Sequence, residues 1–462
     1  MTAIAVLDVG KTNVKLSATE SDGTVLETLG TPNVVLPAPP YRHHDVIALE
    51  EWLLGALAEL GRRHAIATLV PVGHGSAGVL VDEAEPVLPM IDYEDEPPAA
   101  VTARYRALAG DFRTRGSPIM LGASHVARQM LWLQTGWPGA FARARHFLAL
   151  PQYWAWRLCG VAASEATTLG AQSHLWSPRD GAWSPIVAAR KWQRMLPPLA
   201  PAWAALGRLH PGLAARAGLP RQTRVLCGAH DSSVNFYRYQ AAGLAGLTVV
   251  STGTWIVALS DAADPDALDE ARGMTCNADP AGRALAGALC MGGREFALIA
   301  GAQPPDARGD AAVAARLVAR GTLPLPFFGD DDALLPGRAG RGAILGPPPQ
   351  DAAERRALAL IATALLTDLL LDAFSATGLV VLDGSFVADA LYPALVAALR
   401  PQAELRCNRH RDGVAAGAAL LAGHATRSSP ASLALDAPAK LDFPGLATYR
   451  ARWRALAASA TE

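Results

Sequence analysis

The stretch from Asp8 to Lys15 carries the densest set of groups that could bind a metal and phosphate. It follows the apolar run 4–7 and reads Asp-Val-Gly-Lys-Thr-Asn-Val-Lys. Asp8 could face a metal ion or its water shell, and Gly10 would let the backbone approach phosphate oxygens closely. Hydrogen-bond donors follow at Lys11, Thr12, Asn13 and Lys15. The pattern predicts two strands joined by a phosphate-binding tip, although turn chemistry alone favours an ordinary hairpin.

A second carboxylate ends a later strand. The apolar run 225–227 leads through a glycine to His230 and Asp231, and a helix is predicted from there through Tyr239. A carboxylate at a strand end could serve as a general base, and Asp at the start of a helix could equally be an N-cap. The two roles are compatible.

Two further strand ends carry glycine and hydroxyl groups. The apolar run 247–250 leads into Ser-Thr-Gly-Thr-Trp, which contains Thr252, Gly253 and Thr254, and the run 380–382 leads into Asp-Gly-Ser with Gly384 and Ser385. The first of these repeats the design of the opening hairpin, and a threonine-rich turn is the alternative reading. Such a repeat is what a duplicated α/β core closing on one phosphate chain would show.

Length and composition set the bounds for these sites. The 462 residues suffice for two domains of roughly 200 residues each, and two domains also make a cleft. A net charge of -1 with 18% charged residues favours a small-molecule partner over nucleic acid. Five scattered cysteines indicate neither a disulfide framework nor a zinc site.

Membrane and export signals are not expected. The apolar stretch 357–371 carries Asp368 and is shorter than the roughly 20 residues of a membrane span, so it predicts a buried helix. The N-terminal apolar run is too short for a signal peptide. We therefore expect a cytoplasmic protein without a membrane partner, and the sequence leaves the oligomeric state open, a homodimer included.

The order of these motifs resembles the FGGY carbohydrate kinases, members of the actin and hexokinase-like class. The resemblance covers nearly the whole chain and includes the segments 89–95, 150–160 and 164–177. It implies two α/β domains of ribonuclease H-like fold, with mixed sheets flanked by helices and a cleft between them. The expected division is 1–243, 244–440 and a helical tail, 441–462.

The resemblance also assigns roles to residues. It implies that Asp231 is the general base for a sugar hydroxyl attacking the γ-phosphorus of ATP, with Mg²⁺ held by Asp8 and Asp231. The nucleotide would be bound by the hairpin donors and by the later motifs, namely Lys11, Thr12, Asn13, Lys15, Thr252, Gly253, Thr254, Gly384 and Ser385. The adenosine motif is matched only in part, because Asp383 replaces one glycine and the usual Asn is missing near Asp389.

The resemblance also indicates residues that would bind the sugar. The positions that match the family's sugar loops are His74, Gly75, Tyr93, Asp95, His230 and Asp231. His230 and Trp255 look more like the kinases of deoxy-ketohexoses, such as L-rhamnulose and L-fuculose, than like xylulose or glycerol kinases. The prediction is therefore an ATP-dependent ketose kinase. The alternatives are a sugar-sensing protein that has lost catalysis and an ATPase of the same fold that acts on no sugar.

Overall fold

The computed structural model describes residues 2–304, 306–329, 334–375, 378–410 and 412–459. The chain divides into two compact units. The first contains residues up to 244 together with 276–285 and 412–432, and the second contains 245–275, 286–411 and the residues from 433 onward. The main boundary lies one residue from the predicted one. The two returning segments were not predicted.

The first unit is built on strands and helices that alternate along the chain. Its strands are β1 (Ala3–Val9), β2 (Asn13–Thr19), β3 (Val25–Pro32), β4 (Val35–Leu36), β5 (His43–His44), β6 (Ile66–Gly73), β7 (Gly78–Val81), β8 (His146–Ala149), β9 (Trp176–Ser177), β10 (Ala182–Trp183), β11 (Ala205–Arg208), β12 (Arg224–Leu226) and β13 (Ala229–His230). Its helices before residue 245 are α1 (Val46–Gly61), α2 (Ala99–Leu108), α3 (Phe112–Arg115), α4 (Val126–Gly136), α5 (Pro138–Arg143), α6 (Leu150–Cys159), α7 (Ala166–Gly170), α8 (Pro185–Ala189), α9 (Pro211–Ala217) and α10 (Asp231–Ala241).

The rest of the chain supplies the second sheet. Its strands are β14 (Leu247–Thr252), β15 (Ile256–Ser260), β16 (Met274–Ala278), β17 (Ala284–Cys290), β18 (Leu323–Leu325), β19 (Ala343–Leu345), β20 (Leu379–Gly384) and β21 (Glu404–Cys407). Its helices are α11 (Gly292–Ala300), α12 (Ala311–Arg320), α13 (Ala352–Ala373), α14 (Leu391–Leu399), α15 (Gly413–Ala422) and α16 (Leu446–Ala458). Short 3-10 turns cover Gln193–Met195, Pro265–Ala267, Glu270–Arg272 and Ser385–Ala388.

Both sheets are mixed, as predicted. The first has the order β11-β12-β6-β1-β2-β3, with β13 also paired to β6, and β1, β6, β12 and β13 run parallel. The second has the order β16-β17-β15-β14-β20-β21, with β14, β20 and β21 parallel. Parallel pairs require crossover connections, and helices supply them here.

Alternation along β1 decides which side chains face which helices. Ala5, Leu7 and Val9 pack in one buried cluster, while Ile4 and Val6 pack in another that includes residues of α10 and α15. Because side chains of a strand alternate between faces, Asp8 lies on the face of Ile4 and Val6. It therefore points toward the side of the sheet that α10 covers.

The long apolar stretch 357–371 lies inside helix α13, as predicted. This helix is buried over most of its length and forms the centre of the second unit's core. Asp368, the charge within the stretch, pairs with Arg400 at 3.1 Å and Arg450 at 2.6 Å. The pair with Arg450 attaches helix α16, the predicted tail, to the second unit. Across the described ranges, no helix is long and apolar enough to span a membrane.

Candidate active site

Three parallel strands of the first unit end side by side. Asp8 of β1 is in register with Val72 of β6, and His230 of β13 is in register with Gly73. The residues that follow each strand therefore meet at one edge of the sheet. Ligands of open α/β sheets commonly bind at this carboxyl edge.

Asp8 and Asp231 form a pair of carboxylates at this edge. Burial, and secondly the charge of Asp231, raise the pKa of Asp8 to about 7. Lys15 lies directly opposite Asp8 across the hairpin and partly offsets this effect. Two close carboxylates with one exposed ammonium group leave negative charge that a divalent cation would neutralise.

The backbone of His230, just before Asp231, is held in place, while the side chain of Asp231 is partly exposed. The N–H of His230 donates to the Thr167 hydroxyl at 2.9 Å, and Thr167 in turn bonds to the buried carboxylate of Glu165. The side chain of Asp231 is 27% exposed and lies 3.2 Å from Nε2 of His230. Burial lowers the pKa of His230, so this imidazole is neutral at pH 7. A partly exposed carboxylate can accept a proton from a bound hydroxyl.

His74 presents an acceptor nitrogen at the same edge. Its backbone N–H donates to the carbonyl of Val9 at 3.1 Å, and Nδ1 donates to the carbonyl of Gly75 at 2.6 Å. Burial lowers the pKa of His74. Nε2 is buried and has no hydrogen-bond partner among the described residues. A neutral imidazole with Nδ1 protonated leaves Nε2 as an acceptor for a donor such as a sugar hydroxyl.

Gly75 is required by close packing. A Cβ at this position would lie 2.9 Å from the Cβ of Ala171 and 3.4 Å from Nε2 of His230. The absence of a side chain therefore lets the loop after β6 approach His230. This close approach is a steric requirement, and the predicted contact of Gly75 with a sugar stays a prediction.

Lys11 is paired with a carboxylate that the sequence analysis did not single out. Its ammonium group contacts the buried carboxylate of Asp92 and lies 4.8 Å from the ring centroid of Tyr93. Arg42 approaches the other oxygen of Asp92 at 2.9 Å. Asp92 stands in the middle of the segment 89–95, so that motif contained the signal. In this structure Lys11 holds that segment against the hairpin.

Tyr93 and Asp95, which follow Asp92 along the chain, make different contacts. Tyr93 packs edge-on against His74, with ring centroids 5.6 Å apart, and so lies at the candidate sugar site. Asp95 accepts hydrogen bonds from the backbone N–H groups of Arg42 and Glu96, at 2.8 and 2.9 Å. The carboxylate of Asp95 is therefore used in stabilising its own loop.

The hairpin tip presents Thr12 and Asn13 to solvent. Gly10 donates its N–H to the carbonyl of Asn13 at 3.0 Å, and a Cβ on Gly10 would lie 2.9 Å from that oxygen. Asn33 fixes the tip from outside, since its side chain donates to the carbonyl of Gly10 at 2.8 Å and its N–H to that of Thr12 at 2.8 Å. No sequence motif indicated Asn33.

In the second unit, the β14–β15 turn places its two hydroxyl groups differently. The Thr252 hydroxyl is buried, donating to the carbonyl of Asp383 at 2.7 Å and accepting from the N–H of Phe386 at 3.1 Å. Gly253 and Thr254 are exposed. Thr252, predicted as a phosphate ligand, therefore joins β14 to β20, and the exposed pair is what the turn offers to a ligand.

Gly384 and Ser385 complete this joint between the strands. Gly384 has φ +88°, and a Cβ there would lie 2.1 Å from the carbonyl oxygen of Thr252. Ser385 donates to the same carbonyl at 3.2 Å. Asp389, near the place of the missing Asn, binds Arg356 at 2.8 Å and the N–H of Gly309 at 2.9 Å. The departure from the adenosine motif thus has a structural use in this chain.

A metal at this site would need ligands beyond the protein. Within the described ranges, no group of three or more His, Cys, Asp or Glu side chains is placed to hold a metal ion. The pair Asp8 and Asp231 suits an ion that keeps water and phosphate oxygens as its other ligands, which is the usual preference of Mg²⁺.

Comparison with known proteins supports this reading of the motifs. Residues 3–236 match the N-terminal domain of the FGGY family of carbohydrate kinases, and residues 245–430 match the FGGY carbohydrate kinase C-terminal domain. The crystal structure of a carbohydrate kinase from Novosphingobium aromaticivorans is 32% identical, with a TM-score of 0.85 over 100% of this chain and 99% of that chain. A xylulose kinase from Lactobacillus acidophilus, 15% identical with a TM-score of 0.82 over 99% of this chain and 97% of that one, shares the fold.

Curated relatives are more distant. L-fuculokinase of Escherichia coli K12 is 27% identical over 298 residues, and that of Salmonella typhi is 26% identical over 293 residues. Each match covers 60% of this chain and 60% of the relative, so the chain spans about 60% of the length of these relatives.

Proposed function

This chain belongs to the FGGY family of carbohydrate kinases, and we propose that it transfers the γ-phosphoryl group of ATP to a hydroxyl of a ketose. The observation that carries the proposal is the pairing of Asp8 with the partly exposed Asp231 at the edge where β1, β6 and β13 end. Phosphoryl transfer asks mainly for positioning and charge neutralisation. One carboxylate at the attacking hydroxyl and one at a metal site meet both needs.

Asp231 is the general base in this proposal. It accepts the proton of the sugar hydroxyl as that oxygen attacks phosphorus. Neutral His230, 3.2 Å away, and the N–H and hydroxyl of Ser232 hold the carboxylate in place. Nε2 of His74 would accept a hydrogen bond from a second hydroxyl and so orient the sugar.

The remaining residues would bind the nucleotide and the metal ion. Asp8 and Asp231 would hold Mg²⁺, which supplies positive charge to the phosphates. Thr12, Asn13 and Lys15 are exposed at or beside the hairpin tip and would donate to phosphate oxygens. In the second unit, Gly253 and Thr254 would do the same. Lys11 would join them only if its contact with Asp92 were exchanged for a phosphate oxygen.

The substrate class is proposed from two independent indications. His230 and Trp255 look like the kinases of deoxy-ketohexoses, and the curated relatives are L-fuculokinases. We therefore place L-fuculose and L-rhamnulose first among the ketoses to be tried.

A screen of ADP release across ketoses and polyols tests the proposal. We expect ADP release to rise on addition of one ketose and to be lost in Asp231→Asn. ATP turnover that no sugar stimulates would instead indicate an ATPase of this fold. Sugar binding without turnover would indicate a sensor, an alternative favoured by the engagement of Asp389 with Arg356 near the partial adenosine motif.

A further inference from the structure

The first unit contains a cavity of about 410 Å³ at the C-terminal end of α10, the opposite end from Asp231. The end of α10, the turn between β16 and β17, and the segment after α15 surround it. The side chains that matter here are Tyr237, Gln240, Arg283, His424, Arg427 and Ser429. The size suits a small hydroxylated molecule.

The charge of this cavity is positive. The carboxylate of Asp279 lines the cavity, and its side chain is only 1% exposed. It pairs with Arg283 at 2.7 Å and accepts hydrogen bonds from Gln240 at 3.1 Å and from two backbone N–H groups of its own turn. This carboxylate is therefore neutralised. Arg427 forms no ion pair with any carboxylate in the described part of the chain. Its charge is left for a ligand.

Neutral hydrogen-bonding groups stand beside the two guanidinium groups. The Tyr237 hydroxyl bonds to Arg427 at 3.1 Å and to Nδ1 of His424 at 2.8 Å. Burial and Arg427 lower the pKa of His424, so its ring adds no charge at pH 7. This ring stacks on Trp203 with centroids 3.7 Å apart, which fixes its orientation. Guanidinium groups flanked by hydroxyls are typical of phosphate recognition.

We propose that this cavity binds the phosphate group of a small anion, either free phosphate or a sugar phosphate, and that binding changes turnover at the other end of α10. The side chain of Arg283 is 70% exposed and can bring unused N–H groups to the ligand. Ser429, also exposed, lies at the rim.

Helix α10 connects the cavity directly to the candidate catalytic site. Tyr237 and Gln240 of the cavity lie on the helix that begins with Asp231. The turn carrying Arg283 is tied to this helix, because the Ser233 hydroxyl donates to the carbonyl of Ala278 at 2.8 Å. The segments 276–285 and 412–432 both continue into the second unit along the chain. An anion bridging Arg283 and Arg427 would fix these segments against α10.

Isothermal titration of the full chain with inorganic phosphate, fructose 1-phosphate and fructose tests the site without requiring turnover. Arg427→Gln removes the unpaired charge, and Ser429→Glu adds a repelling charge at an exposed position where folding is not at risk. Arg216→Gln is the control, since it removes the charge of an exposed arginine that is already paired with a carboxylate, Glu51, at 2.6 Å and lies outside the cavity. We expect phosphate ligands to bind both test variants at least about tenfold more weakly than wild type.

The control should bind like wild type, and fructose should show no dependence on either test variant. Binding at the catalytic end of α10 would persist in all variants, so a selective loss identifies this cavity. Similar affinities for phosphate and fructose 1-phosphate would assign the site to free phosphate, and tighter binding of the latter to a sugar phosphate. Unchanged binding of both phosphates to Ser429→Glu and Arg427→Gln would overturn the proposal, as would equal turnover with the site filled and empty.

Discussion

The hairpins β1–β2 and β14–β15 share one backbone design and differ in charge. In each, a strand with a parallel neighbour runs directly into a glycine turn, and the residue two positions before the glycine is Asp8 in the first hairpin and Ser251 in the second. Asp8 faces Lys15 across its hairpin, whereas Ser251 faces Val257. The first hairpin can therefore serve a metal and an acid-base pair. The second can offer only neutral donors to a ligand.

The neighbouring strands extend this difference. In the first unit, β6, the parallel neighbour of β1, leads to His74, and β13, which pairs with β6, leads to Asp231. In the second, the parallel neighbour β20 is joined to β14 through the buried Thr252 hydroxyl. The first hairpin thus lies beside groups that could react, whereas the second is hydrogen-bonded to its neighbouring strand. The two hairpins thus share a backbone arrangement, and the side chains at equivalent positions differ in charge.

The largest effect is expected from Asp231→Asn. The amide cannot accept the proton of the sugar hydroxyl, and a general base typically contributes on the order of 10²–10⁴-fold to the rate. We expect kcat with the best ketose to fall by that range while thermal unfolding stays nearly unchanged. Asp22→Asn, in an exposed turn of the same unit, should retain full activity. Turnover of Asp231→Asn within about threefold of wild type would remove Asp231 from the base role.

Gly384→Ala tests the close contact between β20 and the second hairpin. The new Cβ would lie 2.1 Å from the Thr252 carbonyl oxygen at a backbone φ of +88°. We expect the free energy of unfolding to fall by roughly 2–5 kcal/mol, because strain and overpacking add. Gly445→Ala is the control, since Gly445 has φ +82° but open space around it, and it should cost only about 1 kcal/mol. Equal losses in urea denaturation would mean that backbone conformation alone, and not the contact with β14, matters.

Asp8→Asn tests the charge difference between the hairpins directly. Loss of a group that orients a metal typically costs about 10–100-fold in metal affinity. We expect lower turnover at low Mg²⁺ and partial recovery as Mg²⁺ is raised. Ser251→Ala, at the equivalent place in the second hairpin, should leave the Mg²⁺ dependence unchanged. A defect of Asp8→Asn that is the same at all Mg²⁺ concentrations would argue for a folding role instead.

Much of the fold followed from local patterns. The opening hairpin and the buried helix α13 were predicted from the residues, and the two mixed sheets were implied by the family resemblance; all of these are confirmed. These elements are specified by alternating or continuous apolar runs that end in glycine or a carboxylate, which are signals within a few residues of one another. The shared site of Asp8 and Asp231 was implied by the family resemblance, and the structure brings the ends of β1 and β13 to the same edge of the first sheet.

The contacts that the sequence did not reveal join residues that lie far apart along the chain. Lys11 meets Asp92 across 81 residues, and the Thr252 hydroxyl turns inward because β20, 131 residues further on, presents a carbonyl to it. The return of 276–285 to the first unit follows from packing against α10, for which no local periodicity exists. Contacts of this kind are set by tertiary geometry and not by propensity.

The smallest expected effect is a loss of stability at low pH, and this loss should occur in the first unit before the second. Burial lowers the pKa of His125 to about 3 and, with His125 stacked 3.6 Å away, that of His174 well below its usual value. Both lie in the first unit, whereas the second has only the exposed His410 among its described residues. A histidine kept neutral stabilises the fold fully above its unfolded pKa near 6.5, and this stability is lost as pH falls from there toward the folded value. By pH 5.5 the loss should be about 1 kcal/mol per buried histidine.

Hydrogen exchange at pH 7.5 and 5.5, corrected for intrinsic rates, should therefore show protection falling in the first unit before the second. His174→Asn, which suits the φ of +59° at that position, should flatten the pH dependence, and His410→Gln should not. Parallel losses of protection in both units would show that these histidines do not set the acid stability.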